Sequence, residues 1–162
     1  VFWLYRPERS GWLLHDARAA ASNLGLELVS RPVDTARDAI RGYQEILDSA
    51  DSQTDALWLS QDPALVNDDS TLPDILSLAW THNTVVFSGS LQHVANGVLF
   101  ALVPDNGAMG QELARVALAE AKGKAVGFTP NRGLRRAINR RTAEHLGIAL
   151  DTRDYDFVLP AR

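Results

Sequence analysis

Short apolar runs alternate with stretches of helical period along nearly the whole chain, and this alternation constrains the fold more than any other feature. "VFWLY" at residues 1–5 reads as a buried strand. A turn with Pro7, Ser10 and Gly11 follows. Trp12, Leu13, Ala17, Ala20, Ala21 and Leu24 then recur at helical spacing, and Gly25 is the expected helix stop. "LELVSRPV" is a second strand. Asp34 or Thr35 can cap the next helix, which carries Ile40, Tyr43, Ile46 and Leu47 on one face. "DALWLS", "TVVFSG" and "GVLFALV" are the third, fourth and fifth strands. "STLPDILSLAWTHN" is a helix with Pro73 near its first turn. "GAMGQELARVALAEAKGK" reads as a long helix and "LRRAINRRTAEHLGI" as another, closed by Gly147. "DFVLP" is a last short strand. Strands separated by helix-length connections imply an α/β fold: a parallel sheet with helices on both faces, of flavodoxin-like order about 2-1-3-4-5.

At 162 residues the chain fits one domain, or one and a small extension. Hydrophobic content of 46% and charged content of 22% are ordinary for a globular protein. A net charge of −4 argues against a general nucleic-acid or membrane-surface binder. The absence of cysteine removes disulfides, thiol nucleophiles and most zinc sites. No apolar run reaches the roughly 18 residues that span a bilayer, and no signal peptide is visible. The chain begins on "VFWLY" without an initiator methionine, so it is expected to be a piece or processed product of something longer.

Ligands of open parallel sheets sit outside the carboxyl ends of the strands. That rule selects three stretches: "YRPERSGW", "SQDPALVN" and "SGSLQH". Gln61 and Asp62 stand at the mouth of the third strand, where the carboxylate either holds a ligand ammonium or hydroxyl or caps the turn before Pro63. Ser88 and Ser90 flank Gly89 at the mouth of the fourth strand. They either hold a ligand carboxylate with the local N–H groups, or Ser90 caps the helix that starts there. Ser10 and Gly11 stand in the same relation to the first helix. Arg6 is an anion contact or a solvated charge, and Trp12 is a pocket wall or core.

No catalytic constellation emerges. His15, His82, His93 and His145 are dispersed without metal spacing, "SGS" is not a GxSxG elbow, and neither a P-loop nor GxGxxG occurs. The expectation is a protein without catalytic activity, metal or cofactor. The five arginines of "RGLRRAINRR", from Arg132 to Arg141, share their segment with Leu134, Ala137 and Ile138, which favours a surface helix with a basic side over a nucleic-acid contact.

The order of segments resembles the ABC-transporter solute-binding proteins of the type I periplasmic-binding fold, in the branch known as ABC substrate-binding. "VFWLYRPERS" is similar to the strand and Tyr-x-Pro turn that open the second lobe there, and "DALWLSQDPALVN" to its ligand-facing turn. "HNTVVFSGSLQHVANGVLFALVPDNGAMGQELARVALAEAKGK" is similar to its strand, short helix, crossover strand and long helix. Ile138, Asn139, Thr142, Ala143, Leu146 and Gly147 match its closing motif. Two departures stand out: Ser88-Gly89-Ser90 replaces Gly-Ser-Asp, and Asp105-Asn106-Gly107 replaces Asp-Tyr-Tyr.

The resemblance covers essentially the whole chain and only the C-terminal half of a usual member. It implies a solute-binding component of an ABC import system, periplasmic or otherwise extracytoplasmic, free or membrane-anchored. Such a protein captures a small molecule, an amino acid or related metabolite, between two lobes and presents it to a membrane permease. It implies that 1–92 plus 126–162 form one ligand-binding lobe, and that 93–125 cross over to pack on the missing N-terminal lobe. The expected ligand contacts are Arg6, Ser10, Gln61, Asp62, Ser88 and Ser90. On that view residues 89–103 leave the sheet and expose apolar surface, which favours pairing between copies. The alternatives are an extracytoplasmic ligand-sensing domain of a signalling protein with the same fold and, behind it, a flavodoxin-like enzyme or regulator.

Overall fold

The structure is a computed structural model that describes residues 1–127 and 133–160. Strand β1 (Phe2–Tyr5) is the second of seven in a single sheet. It pairs in parallel with β2 (Val29–Pro32) on one side and β3 (Ala56–Trp58) on the other. Strands β4 (Val85–Ser88) and β5 (Phe100–Pro104) continue the parallel series. Strand β6 (Leu134–Asn139) then runs antiparallel to β5, and β7 (Phe157–Leu159) parallel to β6. The resulting order, 2-1-3-4-5-6-7, contains the expected one and extends it by two strands.

Alternation along the strands divides the side chains between two faces. Leu4, Leu57 and Val86 enter the main core with Leu59, Leu65, Leu72 and Ile75. The opposite face carries a row of rings. Trp3 stacks on Trp58 at 4.7 Å between centroids, Trp58 meets Phe87 at 6.2 Å and Phe87 meets Phe100 at 5.2 Å. The pairing register places these residues side by side, Trp3 with Trp58, Trp58 with Phe87 and Phe87 with Phe100.

The helices follow from capping and periodicity. After β1, α1 (Pro7–Ser10) and a 3-10 turn (Gly11–Leu13) precede α2 (Leu14–Asn23). No residue of α2 is buried and Trp12 is 62% exposed, so the apolar spacing over 12–24 does not mark a core face. In α3 (Ala36–Ser49), Thr35 Oγ1 accepts from Asp38 N–H, and Ala39, Tyr43, Ile46 and Leu47 bury one stripe. A Cβ on Gly42 would stand 2.9 Å from Leu4 Cδ1, so this helix comes close to β1 because that position lacks a side chain. Helix α4 (Thr71–His82) closes on Asn83 in the left-handed conformation.

Two expectations change here. The segment read as one helix through 134–148 is β6 followed by the short α7 (Arg140–His145). Asn139 makes the break. Its side chain accepts from Thr142 N–H and donates to the Val94 carbonyl, an N-cap conformation that a continuous helix excludes. Arg135 and Arg136 therefore lie on a strand, and Arg132 falls outside the described residues.

The strand expected to cross away is the second change. β5 is hydrogen-bonded between β4 and β6, and Val98, Leu99, Ala101 and Val103 are buried. Val94 of α5 (Leu91–Asn96), Ala137, Phe157 and Leu159 surround Ala101 and Val103. Residues 98–103 thus pack within the sheet of this chain, because the returning β6 supplies their second neighbour. They offer no exposed apolar strand for pairing between copies. Helix α6 (Asn106–Ala121) differs: it has no buried residue, and Leu113 and Leu118 are exposed.

Candidate functional site

Because β1, β3, β4 and β5 are mutually parallel, their carboxyl ends lie along one edge of the sheet. Three adjacent clefts run along that edge. The first, of 470 Å³, lies where β1 and β3 end. Trp3 and Trp58 form its aromatic floor, Trp12 a wall, and Ser10, Ser60 and Gln61 its polar groups. The second, of 510 Å³, lies between the mouths of β3 and β4 and is lined by Gln61, Asn67, Asp68, Gly89, Ser90 and His93. The third, of 520 Å³, lies beside the start of α6, with Gly89, Asp105 and Arg135 in its walls. Gln61 borders the first two and Gly89 the last two, so the clefts form one trough.

Gln61 reaches across to Gly89 so closely that a Cβ on Gly89 would stand 2.0 Å from Gln61 Nε2. The glycine is what allows the amide to bridge the two strand mouths. Ser10 and Gln61 occupy the expected place in the trough walls.

Arg6 and Asp62 turn toward each other. Arg6 Nε donates to Asp62 Oδ2 at 2.5 Å and an Arg6 terminal nitrogen to Oδ1 at 2.9 Å. The Arg6 hydrogen bonds hold the Asp62 carboxyl below the usual carboxylate range, opposed by burial and assisted by the Ala64 N–H. The same pairing raises the Arg6 guanidinium above its ordinary value. Asp62 also accepts from Ala64 N–H at 3.0 Å, so it caps the turn after β3 as well as forming an ion pair. A bidentate pair leaves little of either charge for a third group. Asp62 still borders the first cleft, whereas Arg6 and Ser88 are not among the residues lining the three clefts.

The serines are also engaged internally. Ser88 is buried, its Oγ accepts from Ser90 N–H at 3.0 Å, and it lies 3.1 Å from His93 Nδ1. His93 Nε2 is 3.1 Å from Asp68 Oδ1. Ser90 Oγ accepts from His93 N–H at 3.4 Å, which is the capping role. Burial pushes the His93 imidazole below its ordinary value, against the pull of Asp68. The order serine, histidine, aspartate resembles a hydrolytic relay, but this hydroxyl is buried and already accepts from Ser90 N–H. Asp105 takes the N–H groups of Gly107 and Ala108 and pairs with Arg135 at 2.9 Å, and those bonds lower its carboxyl.

Sequence reasoning missed the aromatic floor, His93 and Asp68. Trp3 and Trp58 are ordinary strand residues until the register sets them side by side. His93 meets Ser88 and Asp68 only through tertiary folding. Among the described residues no group of histidine, aspartate and glutamate side chains is arranged to hold a metal ion.

No family model matches this chain, and no curated protein matches it. Solved structures do. A conserved domain protein from Vibrio cholerae aligns at 21% identity with a TM-score of 0.68, over 97% of this chain and 53% of its own. An ABC domain from Streptococcus pneumonia, solved in complex with L-Trp, aligns at 19% identity and TM-score 0.69, over 98% of this chain and 54% of its own. A ligand-free, open substrate binding protein with adhesive properties from Clostridium difficile aligns at 14% and 0.69, over 99% and 54%. The chain therefore spans about half the length of each of these structures. At these identities the likeness is one of fold: the mostly parallel α/β sheet described above recurs in these structures, one of which is a substrate binding protein.

Proposed function

We propose that this chain is one ligand-binding lobe of a solute-binding protein, and that it holds a small molecule in the trough along the carboxyl edge of its sheet. The aromatic floor of the first cleft carries this reading. The half-buried Trp58, backed by the buried Trp3 stacked on it, offers apolar surface beside Trp12, and Ser10, Ser60 and Gln61 supply directed polar groups. A largely apolar pocket with a few placed hydrogen-bonding groups suits an amino acid or a related metabolite. The L-Trp in one structural neighbour makes an aromatic one the natural first trial.

The finer reading follows from the same resemblance. The lobe serves an ABC import system outside the cytoplasm, without catalysis, and hands its ligand to a membrane permease. A second lobe closes over the trough by hinge motion. Helix α6 supports this, because it is capped and formed yet buries none of its own residues. Helices in proteins draw most of their stability from packing a face against a neighbour, and an opposing lobe would supply that packing. No described helix is long and apolar enough to cross a membrane.

The test is a thermal-shift titration of the chain with a panel of amino acids that includes L-tryptophan, at millimolar concentration. Binding raises stability by mass action, by about 2.7 kcal/mol at a hundred times the dissociation constant, and the midpoint rises with it. The Trp12→Ala variant, which alters a mostly exposed side chain, should keep its own midpoint and lose the shift. Silence across the panel both of the folded chain and of the same chain joined to its second lobe would sink the reading.

A further inference from the structure

Ser88, Ser90, His93 and Asp68 form one connected circuit in the wall of the second cleft, and its bonds specify where the protons sit. Asp68 is an acceptor, so His93 Nε2 carries the ring hydrogen and donates it across 3.1 Å. Nδ1 is then an acceptor, and the group 3.1 Å from it is the Ser88 hydroxyl. Ser88 Oγ in turn receives Ser90 N–H, and Ser90 Oγ receives His93 N–H. The neutral imidazole therefore joins the Gly89–Ser90 turn to the loop between β3 and α4. The charged groups that face it are few. Asp68 bonds to it and Asp69 lies in the same wall, whereas β4 offers the neutral Ser88 and its own helix α5 carries no other ionisable side chain.

We propose that His93 is the positioning residue of the second cleft, and that proton uptake by its ring releases the Gly89–Ser90 wall. The protonated ring has a hydrogen on both nitrogens and accepts nothing. The Ser88 hydrogen then loses its acceptor inside a buried site, and the hydroxyl must turn to receive from Nδ1 while also receiving Ser90 N–H. An unpaired buried donor is unfavourable enough to favour rearrangement of the turn that carries Ser90 and borders Gln61. Asp68 meanwhile gains an ion pair and stays. The circuit thus loosens on the Ser88 side only, and the cleft wall moves away from its neighbour. Its consequence for capture rests on the ligand-binding reading: affinity for a ligand in the trough falls in acid.

Nitrogen and amide NMR of the full chain tests this without a ligand. At neutral pH the His93 signals should show the Nε2–H tautomer, with a titration midpoint below the ordinary 6.5. The Ser90 amide should shift with that same midpoint. Asp68→Asn removes the charge that favours the imidazolium and should move both midpoints to lower pH. His93→Gln, which keeps a donor toward Asp68, should leave the Ser90 amide without that transition. An Nδ1–H tautomer, or a Ser90 amide that ignores the imidazole titration in a folded wild type, would overturn the proposal. Failure of L-tryptophan to bind at any pH would count against the proposed function instead, and these resonances would still decide the role of His93.

Discussion

Gly89 and Gln61 illustrate how one residue's missing side chain becomes another's position. The Gln61 amide fills the space that a Cβ on Gly89 would take, and the next backbone atom, the Leu102 carbonyl oxygen, is 3.7 Å away. A methyl group there meets the far end of a flexible side chain, which can swing aside. Gly89→Ala should therefore leave the urea midpoint nearly unchanged, within about 0.5 kcal/mol. It should also shift affinity for a trough ligand by roughly fivefold, about one hydrogen bond's worth. A large loss of stability would show that Gln61 is locked by the fold. The place of Gln61 at a strand mouth was legible because strand-end position is a property of local sequence. The inward turn of Arg6 and Asp62 was not, since 56 positions separate them and only the sheet order sets β1 beside β3.

At the scale of elements, β5 and α6 are consecutive in the chain and opposite in their surroundings. β5 has a hydrogen-bonded neighbour on each side, whereas α6 has no buried residue and only Met109, Glu112, Val116 and Ala119 are half-buried. Amide hydrogen exchange should separate them sharply. Val103 and its strand neighbours should exchange as slowly as β4, and the middle of α6 as fast as a fraying helix. Uniform slow exchange across 98–121 would mean that α6 packs on this body after all. The strands β1, β3, β4 and β5 could be read from apolar runs because buried parallel strands are apolar on both faces, whereas the exposed edge strand β2 carries Ser30 and Arg31. β6 could not: its first three residues are exposed, two of them arginines, and only Ala137, Ile138 and Asn139 are buried. Apolar residues in adjacent positions followed by "RRTAEHL" mimic a helical stripe, and the hydrogen bonds of Asn139 that end the strand are tertiary.

For the whole molecule, two acidic transitions should appear in its stability. Asp62 has a folded-state value below the ordinary 3.8, so its contribution is full above that value and is lost as pH falls through the lower one. His93 is depressed below 6.5, so its contribution is full above 6.5 and declines as pH falls through its folded value. Urea midpoints from pH 8 to pH 3 should first fall modestly and then more steeply, and Asp62→Asn should reduce the second limb, to which the lowered Asp105 carboxyl also contributes, while leaving the first in place. A midpoint that rose on acidification would contradict both assignments. The row of rings on the sheet face has a further consequence, a spectroscopic one. Trp3 and Trp58 lie nearly parallel, 19° apart and 4.7 Å between centroids, with the Tyr5 ring 4.8 Å from Trp3 on the same strand. Indoles held that close share their excited states, so their ultraviolet circular dichroism is a signed couplet that exists only while β1 and β3 are in register. The molecule therefore carries, in two of its four tryptophans, an optical signal of the register of its own sheet.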